Sequence, residues 1–461
     1  MIEYSLDQAS AIVQGRLHGR NAHFSGLAHD SRALQANQLF AALPGAHVDG
    51  HDYIAQVAQV GAAGALVREP VQTDLSQIQV PDVCQAMGTL AAAWRASLDV
   101  HVVGITGSNG KTTVKNMLAS IVARYAEKNN QNKNNENNKA YLATPGNYNN
   151  EIGLPLTLAQ LSPSHRYALL EMGCAKPGDI AYLADLACPS IGVVTNASAA
   201  HLKGLGSVEG VAATKGELFV HLDADGTAVM NRDDRFYNVW QDQARPARIL
   251  SFGQYEQADV RLVLSNRVVT PAGDFTLQLK LPGRHNQLNA LAATAAAIAL
   301  KIDLPSIAQG LAEATAEPGR LQRLSLAGGL TLIDDSYNAN PASMRAAIEV
   351  LSGHRGRTCL VIGDMAELAD RAEYEHEQVG AQARALGVDA LFAYGPLSAR
   401  AVDAFSGPGA TFDDIESLCE SVLNYLDRTG DQPSACLVKG SRSMAMERVV
   451  MAIKQARAAA C

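Results

Sequence analysis

The octapeptide Thr106-Gly107-Ser108-Asn109-Gly110-Lys111-Thr112-Thr113 holds the parts of a phosphate-binding loop. Glycines let backbone N–H groups turn toward phosphate oxygens, a following helix adds its positive end, Lys111 reaches terminal phosphates, and the Thr112 hydroxyl suits Mg2+. The usual G-x-x-x-x-G-K-[ST] spacing is not met, because Ile105 stands where its first glycine belongs. What remains is G-x-x-G-K-T, and its place between a strand and a helix favours nucleotide binding over a chance glycine-rich turn. Lys111 alone does not separate a motor, a kinase and a ligase, so polar residues at other strand ends must decide. Glu171 ends an apolar strand, His201 follows another, and Lys215 sits in Thr214-Lys215-Gly216-Glu217. Together with the loop they read as a metal cluster at the carboxyl edge of a sheet. Taken singly, they read as a surface carboxylate, a loop histidine and a solvated helix lysine.

The elements that must position these residues follow from apolar spacing. Residues 100–106 form an apolar run, and Val114, Met117, Leu118, Ile121, Val122 and Tyr125 then recur at helical spacing. Strand-like runs at 167–172, 191–196 and 227–230 alternate with helical segments, as a parallel sheet with crossover helices requires. A small-residue helix is predicted over 285–300. Glu317-Pro318-Gly319 breaks the pattern, after which strands at 330–335, 359–363, 390–394 and 436–439 again alternate with helices. Before residue 98 the chain is mixed, carries no phosphate loop, and reads as a smaller α/β module. Residues 127–140 are nearly pure Asn, Lys and Glu, which predicts a mobile surface loop rather than a helical extension.

A chain of 461 residues exceeds one hydrophobic core, so two to four domains are expected and three is the working number. The longest apolar stretch, near 288–300, falls short of the roughly 20 residues that span a bilayer. The first residues lack the basic start and apolar block of a secretory signal, which predicts a cytoplasmic protein. Seven scattered cysteines without C-x-x-C spacing indicate neither disulfides nor zinc, but reduced, mostly buried thiols. The formal charge of -8 argues against nucleic acid, although one cleft can still gather positive groups for an anion.

The segments TGSNGKTT, TPGNYNNEIGLPLTL, LEMG, NASAAHLKGLGS, TKGE, PGRHNQLNALAA and PGRLQR resemble, in order, the motifs of the Mur ligases. The resemblance covers nearly the whole chain, the Asn-rich tract being its clear departure. It implies ATP binding by Gly107, Ser108, Asn109, Gly110, Lys111, Thr112 and Thr113. It implies one Mg2+ on Thr112 and Glu171, a second on Glu171 and His201, and a carbamylated Lys215 as an extra ligand. A desolvated neutral lysine can add CO2 and become an anion beside a metal. Asn286 and Asn289 resemble the family's adenine contacts, with helix capping as an alternative for Asn286, and Arg320 would reach the ATP phosphates from the domain junction. The implied architecture is α/β in three domains. Residues 1–98 form a uridine-nucleotide module, 99–318 a P-loop-type ATPase domain with a mainly parallel sheet, and 319–461 a Rossmann-like domain.

DDSYNANPASM, at 334–344, and GDMAEL, at 363–368, resemble the family member that adds D-Ala-D-Ala to UDP-MurNAc-tripeptide. On that resemblance Asp335 and Tyr337 contact nucleotide, and Asn338 with Asn340 lie near the amine substrate; a structural reading makes the segment a turn plus helix cap. HDSR and FAALPGAHVDGHDY resemble the family's uridine-nucleotide domain, where Ser31 and Arg32 suit uracil or diphosphate. Asp364 and Glu367 are spaced like an acid/base pair, a role given little weight because ATP activates the carboxyl directly. Lys439-Gly440-Ser441 follows a strand and could touch substrate or phosphate, while Met446, Val449, Val450 and Ile453 read as core. The implied reaction passes through an acyl phosphate to a peptide bond, catalysed by a monomer through Lys111, Glu171, His201 and Lys215, without nucleic acid or membrane insertion. The third ligase of the family and a folylpolyglutamate synthetase are the enzymatic rivals; a nucleotide-gated switch without bond formation is the rival of another class.

Overall fold

The computed structural model describes residues 1–45, 48–129, 140–428 and 433–458. The nine-stranded sheet at its centre has the spatial order 273–276, 267–270, 260–263, 248–253, 227–231, 191–194, 101–106, 167–171 and 141–143. Every pairing from 141–143 across to 260–263 is parallel, and the last two are antiparallel. Period-two alternation sends neighbouring residues to opposite faces. Val103, Ile105, Leu169 and Val193 pack under the helices Lys111–Lys128, Arg284–Ala299 and Leu304–Glu313. Val102, Leu170 and Val194 face Asp179–Ala187 and Val208–Val220 on the other side. Burial on both faces explains why these strands read as continuous apolar runs. The antiparallel extension at 260–276 was not anticipated, since its residues are largely half-exposed and carry no apolar run.

The N-terminal unit has a five-stranded sheet, parallel except for the Arg16–His18 edge, and a two-stranded antiparallel ribbon. Helix Val83–Ala96 joins it to the centre: Val83, Met87 and Leu90 belong to its core, while Ala91 packs in the central one. The C-terminal unit has six strands ordered 322–326, 330–335, 434–439, 357–363, 390–394 and 409–412, parallel but for the first pair. The predicted fold class is thus the observed one, α/β with mostly parallel sheets.

Several element boundaries differ from expectation. The strand predicted over 191–196 ends at Val194, and the one over 167–172 ends at Glu171. Of the Asn-rich tract, Glu127 and Lys128 belong to the phosphate-loop helix, and 130–139 lie outside the described residues. Cys174, Cys359 and Cys436 are buried, but Cys84 and Cys419 are half-buried and Cys188 is exposed, fewer buried thiols than expected; all six are free, and Cys461 lies outside the described residues. No helix among the described residues is long and apolar enough to cross a membrane.

Two contacts of this framework are open to test. Helix Leu304–Glu313 crosses the phosphate-loop helix at Gly310, where an added Cβ would stand 2.4 Å from the Ile121 Cα and where Ser120 Oγ donates to the Gly310 carbonyl at 2.7 Å. Gly310→Ala gains helix propensity worth at most ~1 kcal/mol, but the clash is with backbone and cannot be relieved by a rotamer. A net loss of about 1–2 kcal/mol in chemical unfolding is expected. His285, in the first turn of Arg284–Ala299, is held down to about 4 by burial and by the nearby Lys439 charge. Below about pH 6.5 the unfolded chain therefore takes up a proton that the folded chain refuses until about 4, so stability falls as pH drops through that window. His285→Gln should flatten the pH dependence of the melting temperature there.

Candidate active site

The phosphate loop leaves the sheet at Thr106 and enters the helix at Lys111, and both turns are made by glycines in left-handed backbone. Gly107 has φ +151, and a Cβ there would lie 1.8 Å from Thr195 Oγ1; at Gly110, φ +84, it would lie 2.3 Å from Asn289 Oδ1. Neither position admits a side chain, so the backbone can approach an anion closely. No side chain caps the helix at Gly110, which directs its first N–H groups outward. Lys111 Nζ donates to the Gly107 carbonyl at 2.8 Å.

The segment after strand Ile191–Val194 clamps the loop from behind. Thr195 Oγ1 donates to the Asn109 carbonyl at 2.6 Å, Asn196 takes both the N–H and the carbonyl of Asn109 at 3.1 Å, and Ser198 N donates to Ser108 Oγ at 3.0 Å. The sequence marks Asn196 as a strand end and as the start of the NASAAHLKGLGS segment but gives it no role, because that role depends on the adjacency of two parallel strands. At the next strand edge Glu171 accepts from Thr112 Oγ1 through Oε2 and from Asn149 Nδ2 through Oε1, each at 2.8 Å. Asn149 and Thr144, whose hydroxyl accepts from the Glu171 N–H at 2.9 Å, lie in or beside the TPGN segment. Their roles in orienting Glu171 were not read from the sequence.

Lys215 is not the solvated helix lysine of the ordinary reading. Its side chain is 1% exposed, and its amine donates to Cys174 Sγ at 3.5 Å. Burial drives its pKa down, with Cys174 opposing. Lys111 is pushed down to about 8, first by burial and then by the Lys215 charge, with Glu171 opposing. His201 is lowered by burial, against which Glu367 acts to raise it.

One cavity of about 760 Å³ collects these groups. Ser108 through Thr113, Glu171, His201, Lys215, Asn286 and Asn289 line it from the central unit, and Arg320, Asp335, Tyr337, Asn338 and Asn340 from the C-terminal side. Gly107, the first glycine of the loop, is not among the residues that line the cavity. Ser31 and Arg32 are not brought here: Arg32 is exposed on the N-terminal unit and paired with Asp30 at 2.7 Å. Asn286 reaches back to the Pro282 carbonyl at 2.7 Å instead of capping its helix, and accepts from Asn289 at 3.2 Å.

The junction is stitched to the C-terminal sheet. Leu321 N donates to Asp335 Oδ1 at 3.0 Å, Tyr337 N donates to the Gly319 carbonyl at 3.1 Å, and the Arg320 guanidinium lies 4.1 Å from the Tyr337 ring centre. Burial lifts the Asp335 pKa, opposed by Lys439, whose amine sits 2.5 Å away. Lys439 also donates to the Asn338 carbonyl at 2.9 Å, so in this structure it braces the 335–338 turn. Asn340 caps helix Pro341–Ser352 and donates from Nδ2 to Asn109 Oδ1 at 2.8 Å, joining cap and phosphate loop. Asp364 accepts from the N–H of Ser398 at 2.7 Å, a structural role that agrees with the low weight given to it as an acid or base.

The donor set fits a Mg2+ ion held partly by nucleotide. Among the described residues no three of His, Cys, Asp and Glu gather as a metal site. Thr112 and Glu171 offer adjoining oxygens instead, as expected where Mg2+ keeps few protein ligands and uses substrate phosphates. Lys215, buried and, among the described residues, with its amine on the Cys174 thiol rather than a carboxylate, fits the chemistry of a carbamate.

Comparisons with known proteins agree with this geometry. Residues 105–297 match the model of the Mur ligase middle domain, 319–442 that of the Mur ligase glutamate ligase domain, and 23–95 that of the Mur ligase family catalytic domain. The chain is 40% identical to the UDP-N-acetylmuramoyl-tripeptide–D-alanyl-D-alanine ligase of Escherichia coli K12 over 99% of both chains. It is similar to the crystal structure of MurF from Acinetobacter baumannii, with TM-score 0.89 and 31% identity over 98% of this chain and 99% of that one. MurF ligase from Thermotoga maritima, in complex with ADP, follows at TM-score 0.79 and 26% identity over 95% and 99%. On the match of all three domain models and of a relative across its full length, the chain belongs to the Mur ligase family.

Proposed function

We propose that this chain is the ATP-dependent ligase that joins D-Ala-D-Ala to UDP-MurNAc-tripeptide, yielding UDP-MurNAc-pentapeptide, ADP and phosphate for peptidoglycan. One observation carries the reading: a phosphate loop, an oriented carboxylate and a buried lysine share a cavity with residues of the C-terminal unit. A switch that only hydrolyses ATP has no need of a second domain lining the γ-phosphate region, whereas a ligase must hold two further substrates there. The full-length relationship to a UDP-N-acetylmuramoyl-tripeptide–D-alanyl-D-alanine ligase favours these substrates over those of other family members.

In this account the tripeptide carboxylate attacks the γ-phosphorus and ADP leaves. Lys111 and the N–H groups of residues 108–113 stabilise the charge that builds on the phosphoryl oxygens. Arg320 enters from the junction and adds positive charge to the same region. The amine of D-Ala-D-Ala then attacks the acyl-phosphate carbonyl and phosphate departs. Asn286 and Asn289 orient adenine, Asp335 and Tyr337 hold the nucleotide from the other side, and Asn338 with Asn340 lie toward the amine. Mg2+, two ions when bound, would draw charge from the phosphates, with Thr112, Glu171, His201 and a carbamylated Lys215 as the residues to hold it. Docking of the C-terminal unit over the cavity excludes water that would hydrolyse the acyl phosphate.

Residues 1–98, with Ser31 and Arg32, take the uridine nucleotide, 99–318 the ATP, and 319–461 the amine. The enzyme works as a monomer in the cytoplasm.

Two outcomes are expected. Phosphate release from MgATP should require both organic substrates and match pentapeptide formation one to one by mass detection; release indifferent to both would support the switch. Lys215→Ala should lower kcat by on the order of 100-fold or more, with partial rescue by small carboxylic acids. NMR with isotope-labelled bicarbonate should show a carbamate signal in the wild type that the variant lacks.

A further inference from the structure

The GDMAEL segment has no part in the chemistry above, yet it reaches the cavity wall. Glu367 Oε2 lies 2.5 Å from His201 Nδ1, an ion-pair contact between the C-terminal and central units. Both partners stand in left-handed backbone, Glu367 at φ +64 and His201 at φ +54. Such conformations are costly for residues with a Cβ and persist where the surroundings over-determine them.

The surroundings do so on both sides. Met365 N donates to His376 Nε2 at 2.9 Å, Ala366 N donates to Ser441 Oγ at 2.7 Å, and Ser441 N donates to the Asp364 carbonyl at 3.1 Å. Met365 and Leu368 are buried on either side of the half-exposed Glu367 side chain. Opposite it, the His201 carbonyl accepts from the N–H groups of Gly204 and Leu205 at 3.0 Å, between the buried Ala200 and Leu202. Two anchored loops therefore present one carboxylate to one imidazole nitrogen, across a boundary between units.

We propose that Glu367 is a positioning residue: by accepting the Nδ1–H of His201 it fixes the imidazole so that Nε2 is the nitrogen available to the cavity. This rests on the reading of His201 as a residue facing bound metal. A carboxylate on the far nitrogen of a ligating histidine sets its tautomer and orientation and raises its basicity. Because the two residues belong to different units, the imidazole is set only when the C-terminal unit is docked. That ties assembly of the site to closure.

The test uses the full chain saturated with ADP. Imidazole nitrogen NMR should show His201 as a single Nδ1–H tautomer in the wild type and in Glu367→Gln, which keeps an acceptor oxygen at the same reach, and as a mixture in Glu367→Ala. Mn2+ titration followed by electron paramagnetic resonance should show binding about 10-fold or more weaker in Glu367→Ala. The His201→Ala/Glu367→Ala double variant should be no weaker than His201→Ala alone. An unchanged His201 tautomer in Glu367→Ala would overturn the proposal, as would additive losses in the double variant. Normal Mn2+ affinity in His201→Ala would instead overturn the metal role of His201, leaving the tautomer to decide that of Glu367.

Discussion

Lys215 is buried with its amine on the Cys174 thiol, Lys111 and Lys115 share the field of the Glu171 carboxylate, and the rest of the site is arranged around these charges. Burial of an ammonium is expensive, and burial lowers the pKa of all three lysines, with Glu171 opposing at Lys111 and Lys115 and Cys174 at Lys215. Such a cavity favours whatever supplies negative charge. Nucleotide phosphates would do so at Lys111, and a carbamate at Lys215. Thr112 and Asn149 each bond one oxygen of Glu171, which holds this carboxylate in place beside the phosphate loop.

The same cavity is completed from a second unit. Arg320, Asn340 and Glu367 approach from the C-terminal side, each held by its own scaffold: the Tyr337 ring, the cap of Pro341–Ser352, and the buried flanks of the GDMAEL segment. Their contacts across the boundary are few and polar, Asn340 to Asn109 and Glu367 to His201. An interface of that kind can open for substrates and still define one geometry when shut, unlike a broad apolar seam. The junction at Gly319 and Leu321, both with positive φ, is tied by Asp335 and Lys439 to the C-terminal sheet, so it moves with that unit.

Much of this was legible in the sequence, for physical reasons that differ by residue. The central strands are buried on both faces and therefore read as apolar runs, and the glycine-rich turn between strand and helix located Lys111 and Thr112. Glu171 was visible as a carboxylate ending such a run. Lys215 read by itself as a solvated helix lysine, and only the family resemblance implied a desolvated amine, because the Cys174 thiol that meets it is distant in sequence. Asn149 and Asn196 act through partners distant in sequence, and Glu367, marked only by its spacing from Asp364, meets the distant His201 instead. Ser31 and Arg32 could be named but not placed, and the structure leaves them outside the central cavity.

The central claim is that the γ-phosphoryl group passes through the tripeptide carboxylate. It is tested most directly by labelling that carboxylate with heavy oxygen and weighing the phosphate released during turnover with D-Ala-D-Ala. If an acyl phosphate forms, attack by the amine breaks the carbonyl carbon to oxygen bond, and each phosphate carries away one labelled oxygen. Phosphate free of label, released while the pentapeptide accumulates, would contradict the account.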